Sequence, residues 1–491
     1  MFRPIVAVFV VMLALSGVPM ALSQGVCPLN GTSSGKLVCV IPQQYGPLGL
    51  GSGANAPLLA NAHQAHFEGD FLSSFGPINE AVGVQVSRLP LASPSSGITF
   101  TYDPALKTFS PSTEESLGPI LGERASTIGR NKLYVAFSFQ YFNFNSIDGH
   151  DTSNLPSVFR HDAFLPGTFP PCPNQTGLTG SYANNPCTVR DFIQTTNNID
   201  LTVHQYTVYA TYGITRHLDF SLAMPFLSVN LRAISKATIV QNAIAAPSAS
   251  FPGGVFHQFD ASRVPSCGSA QPCLQATFTS SGSASGIGDV TLRGKYELYR
   301  GERTGFAAGV DIRLPTGDEQ NFLGSGAAGI KPFGVFSYSA RVSPHVEIGY
   351  EKNGKSLLAG DFVGPTATNA KGSLPDRFVY TVGADVSIVK RLTGAFDLFG
   401  QRLFGLREFF SNPYTDLGKC SDTMCTTLTP GTTHPDLGVR LGTDASVLDA
   451  SVGLKYELVH KLVVTGNVLL KLNDTGLRST AVPLVGVSYN F

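Results

Sequence analysis

Charged side chains in this chain recur at every second position of segments that are otherwise apolar. In residues 288–299, charged Arg293 and Lys295 alternate with apolar Leu292 and Tyr296. Alternation with a period of two is typical of a β-strand with one apolar and one polar face. Charges of both signs on one face could line a water-filled passage and orient a polar solute, or could pair across strands and fill a narrow interior. The positions predicted to line this interior are Asp289, Arg293, Lys295, Glu297, Asp311, Arg313, Glu347, Arg377, Asp385, Asp397, Asp449 and Lys455.

The same alternation defines about twelve strands after residue 132. Neighbouring segments such as 446–458 and 460–472 are joined only by a tight hairpin. Short turns alternate with long connections along the whole series. An even number of strands with this asymmetry is typical of a membrane β-barrel. The predicted strands are 132–145, 197–213, 217–232, 285–299, 304–314, 328–341, 344–353, 376–389, 392–404, 446–458, 460–472 and 480–491.

The free-energy cost of placing a charge in lipid determines which face of these strands points outward. A basic side chain facing the middle of a bilayer costs about 2 to 4 kcal/mol, so Arg293 and Lys295 must point into the lumen. The sequence therefore predicts an all-β fold, a transmembrane antiparallel up-and-down β-barrel of about 12 strands. An N-terminal segment outside the barrel wall precedes it.

Both ends of the chain indicate export to the bacterial outer membrane. Arg3 precedes an uncharged run over 5–15, and Ala21-Leu22-Ser23 forms a small-residue cleavage site, so residues 1–23 are predicted to be a signal peptide. The last strand ends on Phe491, as the last strand of such barrels typically does. We expect outer-membrane lipid around the barrel and recognition of the final strand by the barrel-assembly machinery.

Residues 24–131 lack regular strand spacing. They are rich in Gly, Pro and Ser, with an apolar stretch over 71–91 and a predicted hairpin near 98–109. Three placements are open: a plug inside the barrel, a portion packed below it in the periplasm, or a mobile leader. The predicted organisation is a signal peptide over 1–23, this segment over 24–131 and the barrel over 132–491.

The eight cysteines fall into four close couples within segments rich in Gly, Pro, Ser and Asn. In an exported chain such couples predict local disulfides. Each bridge would contribute about 2 to 3 kcal/mol by closing a short loop. A metal site is disfavoured because CxxC repeats and neighbouring histidines are missing. The predicted pairs are Cys27 with Cys39, Cys172 with Cys187, Cys267 with Cys273, and Cys420 with Cys425.

Composition and motifs argue against several function classes. The 34 basic residues equal the 34 acidic ones and form no cluster, so nucleic acid is not an expected partner. A GxSxG nucleophile elbow does not accompany the strand-borne His204 or His345. His63 and His66 lack a carboxylate at the spacing of a zinc protease. The sequence therefore predicts no enzyme, no catalytic residue, no metal and no cofactor.

A family resemblance rests on three motifs in the middle of the chain. Ser283-Ala-Ser-Gly-Ile-Gly-Asp-Val-Thr-Leu-Arg-Gly-Lys-Tyr296 is followed by Ala308-Gly-Val-Asp-Ile-Arg-Leu-Pro-Thr-Gly-Asp318 and by Leu323-Gly-Ser-Gly326. This succession resembles the outer-membrane β-barrel family associated with the meta-cleavage pathway of phenol degradation, most specifically over 283–350. The resemblance implies an outer-membrane transporter that takes up aromatic or other small apolar compounds.

Three hypotheses about function follow. The inward charges and the family resemblance favour a channel or transporter with a small-molecule solute as partner. The elaborate loops favour a surface-exposed structural or adhesion barrel that binds through its disulfide-stapled loops. An outer-membrane hydrolase is less favoured. Asp318 and Glu319, at the end of one strand, could form a cation site or a solvated polar loop.

Overall fold

Most of the main sheet closes on itself as a barrel. Within the residues described, twelve antiparallel strands each pair with the next along the chain, and the last pairs with the first. The amide of Phe491 donates to the Leu133 carbonyl over 2.8 Å at this closure. The computed structural model describes residues 27, 35–44, 67–68, 75–87, 100–103, 108–111, 116–161, 190–244, 252–255, 257–259, 272–361, 370–422, 427–459 and 461–491.

All twelve predicted strands are present, and several are longer than predicted. Two long neighbouring strands, Phe192–Gly213 and Leu218–Val240, have 22 and 23 residues and extend well beyond the predicted ends. The strands are β1 Leu133–Ile147, β2 Phe192–Gly213, β3 Leu218–Val240, β4 Val290–Arg300, β5 Thr304–Leu314, β6 Gly329–Tyr338, β7 Val342–Asn353, β8 Asp376–Val389, β9 Leu392–Ser411, β10 Leu437–Val459, β11 Leu462–Lys471 and β12 Ala481–Asn490.

The two faces of the strands have opposite chemistry. Outward side chains such as Phe226 and Leu454 are 46% and 51% exposed although they are apolar. Inward neighbours such as Asp385 and Lys455 are charged and buried. A closed barrel with an apolar outer surface leaves no unpaired strand edge in lipid. The barrel therefore spans a membrane through its strands. None of the helices within the described ranges is long and apolar enough to span a bilayer.

Further elements lie at the end of the barrel that carries the long connections. Strand Gln275–Ile287 pairs with the upper part of β3 and leads into β4. Strand Leu155–His161 pairs with β2 and with Phe67–Glu68. The other elements are the short strands Phe100–Asp103 and Thr108–Pro111, which form the predicted hairpin, His150–Asp151, Lys355–Asp361, Ala370–Ser373, Tyr414–Thr415, Thr433–His434 and Leu477–Ser479, and the 3₁₀ turns Leu37–Cys39, Pro252–Gly254 and Glu319–Asn321.

One of the four predicted cysteine pairs lies wholly within the described residues. Cys27 and Cys39 form a disulfide, as predicted. Cys273 and Cys420 are also disulfide-bonded. The remaining predicted partners lie outside the described residues, as do the signal peptide and two histidines considered for zinc: Cys172, Cys187, Cys267, Cys425, residues 1–23, His63 and His66.

Two parts of the N-terminal region lie inside the barrel. Helix α1, Phe75–Ser87, occupies the half near the long connections. We call residues 116–128 the inner segment; they contact inward side chains of β4, β8, β9 and β10, which lie around the wall. The inner segment ends near the short turns, where Thr127 Oγ1 donates to the Arg216 carbonyl.

An apolar cluster joins α1 to the barrel wall. Ile78 and Val82 lie one helical turn apart and face the same way. Both are buried in a cluster with Ile41 and with Phe144 and Leu231 of the first strands. Burying each such side chain contributes about 1.5 to 3 kcal/mol. This packing holds one face of the helix against β1 and β3, while Val84 packs against Leu403 of β9.

Candidate functional site: a closed chamber in the lumen

A cavity of about 230 Å³ lies within the barrel between the two N-terminal elements. Gln85 and Ser87, at the end of α1, line its upper side, and Leu121 of the inner segment lines its lower side. The rest of the lining comes from strands around the wall. We call this cavity the chamber.

One wall of the chamber is charged. Adjacent strands β4, β5, β6 and β7 contribute inward groups that pair in a ladder across the sheet. Arg293 Nε lies 2.6 Å from Asp311 Oδ1, and Lys331 Nζ lies 3.1 Å from both Asp311 and Glu347. Cross-strand pairs of opposite charge stabilise a sheet and keep these side chains extended along the wall.

The ladder continues into a group of two arginines that share one carboxylate. Arg377 of β8 binds Glu351 through Nη2 at 2.7 Å and Nε at 3.0 Å. Arg313 of β5 approaches the same Glu351 at 3.4 Å and donates to Asn353 Oδ1 over 2.5 Å. Arg377 also donates to the Ser87 carbonyl over 2.8 Å, which joins the charged wall to the end of α1.

The opposite wall carries apolar side chains beside one ion pair, Asp449 with Arg478. Phe142 of β1 and Val482 of β12 face inward, beside Leu469 of β11. Phe399 of β9 and Tyr209 of β2 complete this side. The chamber thus combines aromatic and aliphatic surface with a small set of convergent charges, as binding sites for small molecules commonly do.

The inner segment closes the chamber from below through buried polar contacts. Arg124 pairs with Asp385 of β8, and Ser116 bonds to the same carboxylate. Lys455 of β10 donates to the Pro119 carbonyl over 2.5 Å. Asp397 of β9 accepts from the Gly122 amide over 3.3 Å.

Glu123 is the carboxylate that joins the inner segment to the charged ladder. It pairs with Arg293 and with Lys295 of β4, both at 2.7 Å. Lys295 also donates to the Arg124 and Ser126 carbonyls. Glu123 is about 1% exposed. Because buried ions are costly without a partner, these contacts hold the segment in place.

The predicted lining residues divide into three groups. Arg293, Asp311, Arg313, Glu347, Arg377 and Asp449 line the chamber. Lys295, Asp385, Asp397 and Lys455 bind the inner segment instead of facing free space. Glu297 pairs with Arg300 at the short turn, and Asp289 binds Ser325 and the Gly317 amide in the connection after β5.

Four charged residues of the site were not among the predicted positions. Lys331 and Glu351 follow the same alternation as their predicted neighbours, so periodicity could have found them. Arg478, which pairs with Asp449, and Glu123 lie outside regular barrel strands. The sequence around these last two carries no periodic signal.

Other residues considered for chemistry have structural partners. His345 Nε2 lies 2.6 Å from Asp397 Oδ1, while Ser116 bonds to Asp385 and Arg124. His204 contacts the rings of Phe139 and Tyr141 on the outer face. Over the described ranges, no three His, Cys, Asp or Glu side chains converge as a metal site.

The loop after β5 does not present its two carboxylates to solvent as a pair. Asp318 binds Lys36 at 3.1 Å and accepts from the Gln320 amide. Glu319 binds Lys371 at 2.8 Å and accepts from the Leu357 amide over 3.0 Å. Both carboxylates therefore fasten neighbouring segments across the end of the barrel, and Asp318 is 40% exposed, as the solvated-loop alternative predicts.

Burial of Glu80 makes the docking of α1 sensitive to pH. Desolvation raises the pKa of Glu80 from 4.5 to about 7, against the opposing effect of Arg407, whose Nε lies 3.3 Å away. A raised pKa means that docking is favoured at low pH and loses stability as the pH rises from about 4.5 to about 7. We expect amide protection of 75–87 to fall by up to about tenfold per pH unit in this window and to level off above 7.

Hydrogen exchange at pH 5 and pH 7, corrected for intrinsic exchange rates, measures this effect. Glu80→Gln removes the titrating group and should abolish the pH dependence. An equal dependence in both proteins would show that another group controls the docking of α1.

The closed strand order, the apolar exterior and the charged, occupied interior define an outer-membrane β-barrel. Residues 187–386 match the model of a family described as "Putative MetA-pathway of phenol degradation". The family resemblance found in the motifs is therefore confirmed over this part of the chain. No curated protein is significantly similar to the chain in sequence.

Solved structures with a similar fold include several outer-membrane proteins. An outer membrane channel from Pseudomonas putida F1 is 12% identical, with 75% of this chain and 98% of that chain covered and a TM-score of 0.39. The CymD monoaromatic hydrocarbon channel is 10% identical, with coverages of 74% and 88% and a TM-score of 0.30. A FadL homologue from Pseudomonas aeruginosa is 6% identical, with coverages of 74% and 90% and a TM-score of 0.28.

Proposed function

We propose that the protein is an outer-membrane channel for small solutes whose passage depends on displacement of the inner segment. The observation that carries this proposal is the chamber, which lies between α1 and the inner segment, two elements that are not part of the wall. Moving these elements would connect the chamber to both sides of the membrane. The twelve paired strands need not separate for this movement.

The contacts of the inner segment suit reversible closure. Its anchors are ion pairs and hydrogen bonds to groups such as Asp385 and Lys455 on the wall. Water that enters the lumen can replace these polar contacts, because hydration lowers the cost of separating the charges. A purely structural filler would gain more from apolar packing than from buried ions. This argues for a plug that moves.

The volume and lining of the chamber are suited to small solutes. Its volume lies just below the range of about 300 to 1,000 Å³ that is usual for pockets holding drug-sized ligands. The apolar wall around Phe142 and Phe399 favours compounds with an aromatic or aliphatic body. The family match is consistent with aromatic compounds as solutes.

Solute flux into proteoliposomes tests this proposal. The refolded full-length protein should admit membrane-impermeant solutes of single-ring size, such as glucose and benzenesulfonate, and exclude a trisaccharide such as raffinose. Protein-free liposomes provide the background. A refolded barrel that admits none of these solutes would contradict the channel function and leave the loops as the functional surface.

A further inference from the structure

We infer that the chamber binds small aromatic monocarboxylates, with the carboxylate at the Arg313–Arg377 pair and the ring against the apolar wall. This inference rests on the proposed channel function and names a class of solute. It depends on three features of the site: hydrogen-bonding capacity of Arg313 that the protein leaves unused, the local balance of charge, and the shape of the two walls.

Arg313 has unused donors. Its side chain is about 93% buried. Among the described residues, neither Nε nor Nη1 has a hydrogen-bond partner. Only Nη2 is engaged, by Asn353 and Glu351. Leaving buried N–H groups of a charged side chain unsatisfied costs more than leaving neutral ones unsatisfied. An oxyanion entering the chamber would remove this cost after a small rotation of the guanidinium.

The local balance of charge leaves Arg313 short of an anionic hydrogen-bond partner. Arg313 and Arg377 share the carboxylate of Glu351. Asp289 also attracts Arg313 electrostatically, but its hydrogen bonds come from the Ser325 hydroxyl at 2.6 Å and from two backbone amides. A solute carboxylate would therefore supply acceptors to Arg313 Nε and Nη1, which have no partner among the described residues. Two neighbouring guanidinium groups also match the planar geometry of a carboxylate better than ammonium groups would.

The opposite wall restricts the rest of the solute. Phe142, Phe399 and Leu469 offer ring-sized apolar surface with little hydrogen-bonding capacity. A second charged group on the solute would lose its hydration beside these side chains, at a cost of several kcal/mol unless it reached the Asp449–Arg478 ion pair. A single ring carrying one carboxylate fits both walls.

Calorimetric binding to the refolded full-length protein tests the inference, with benzoate, benzamide and phenyltrimethylammonium as probes. Benzoate should bind at least about tenfold more tightly than the other two, since a hydrogen bond to a charged group adds more than a factor of ten. Arg313→Gln should weaken benzoate binding by about 10- to 100-fold and leave benzamide binding nearly unchanged. Arg313→Lys should restore part of the loss.

The matched control is Arg232→Gln, on the exposed outer face of β3. It removes the same charge and should not change benzoate binding. Equal binding of benzoate and benzamide, or full benzoate affinity in Arg313→Gln, would overturn the inference. Such results together with normal solute flux would leave the channel function standing. Absence of flux for every solute would instead refute the channel function itself.

Discussion

Glu123→Gln should open the lumen to ions in planar bilayers. The substitution removes the carboxylate shared by Arg293 and Lys295 and keeps the size of the side chain. Removing one partner of a buried ion pair costs about 3 to 5 kcal/mol. This cost falls on the closed state, in which Lys295 is about 3% exposed and would lose its carboxylate partner. In the open lumen, water would hydrate Lys295.

The expected size of the effect is large. A loss of 3 to 5 kcal/mol shifts the ratio of closed to open molecules by about two to three orders of magnitude or more. Conductance that is rare in the wild-type protein should become frequent. The matched control is Glu302→Gln, an exposed acidic residue at the turn between β4 and β5. Identical conductance in wild type and Glu123→Gln would mean that these ion pairs do not hold the lumen closed.

Leu454→Lys should strongly destabilise the barrel in lipid. Leu454 points outward from β10 and is paired with Gly466, which lies midway along β11. A lysine facing lipid near the midplane costs about 2 to 4 kcal/mol in the free energy of unfolding. Guanidinium titration of the protein refolded into vesicles measures this loss.

A second leucine on the same strand provides the control. Leu441 is 71% exposed and lies near the beginning of β10, far from the middle of the strand. Leu441→Lys should change the free energy of unfolding by at most about 1 kcal/mol. Equal losses for both substitutions would contradict the assignment of the outer face to lipid.

The barrel wall could be predicted from the sequence because its outer face is apolar, toward lipid, and its inner face is polar. Strands such as β5 and β8 agree with their predicted limits residue for residue. The upper parts of β2, β9 and β10 were assigned to loops. There the outward positions leave lipid and become polar, so the alternation that identifies a strand disappears.

The interior of the barrel was harder to predict. Helix α1 carries a weakly amphipathic sequence, and tertiary contacts with the wall determine its conformation. The inner segment forms no regular structure between 116 and 128, and the wall satisfies its backbone. Positions of this kind depend on contacts made far along the chain, as between Ser116 and Asp385. A local pattern cannot report such contacts.

Only part of the candidate site could be predicted, because only its strand residues follow a periodic pattern. Residues on strands, such as Arg293 and Arg377, were identified as inward because the alternation places them there. Alternation does not tell which inward charges face a cavity and which bind a plug. That distinction depends on where the N-terminal region lies.

A reversible tether between the inner segment and the wall tests the gating account most directly. A Cβ at Gly305 of β5 would lie 3.1 Å from the Ala125 Cβ, close to the separation of about 3.5 to 4.5 Å in disulfides. Ala125→Cys with Gly305→Cys should therefore cross-link. Solute flux should be abolished when the pair is oxidised and should return on reduction, while reduction leaves flux through the wild-type protein unchanged. Undiminished flux through the oxidised, fully cross-linked protein would contradict gating by the inner segment.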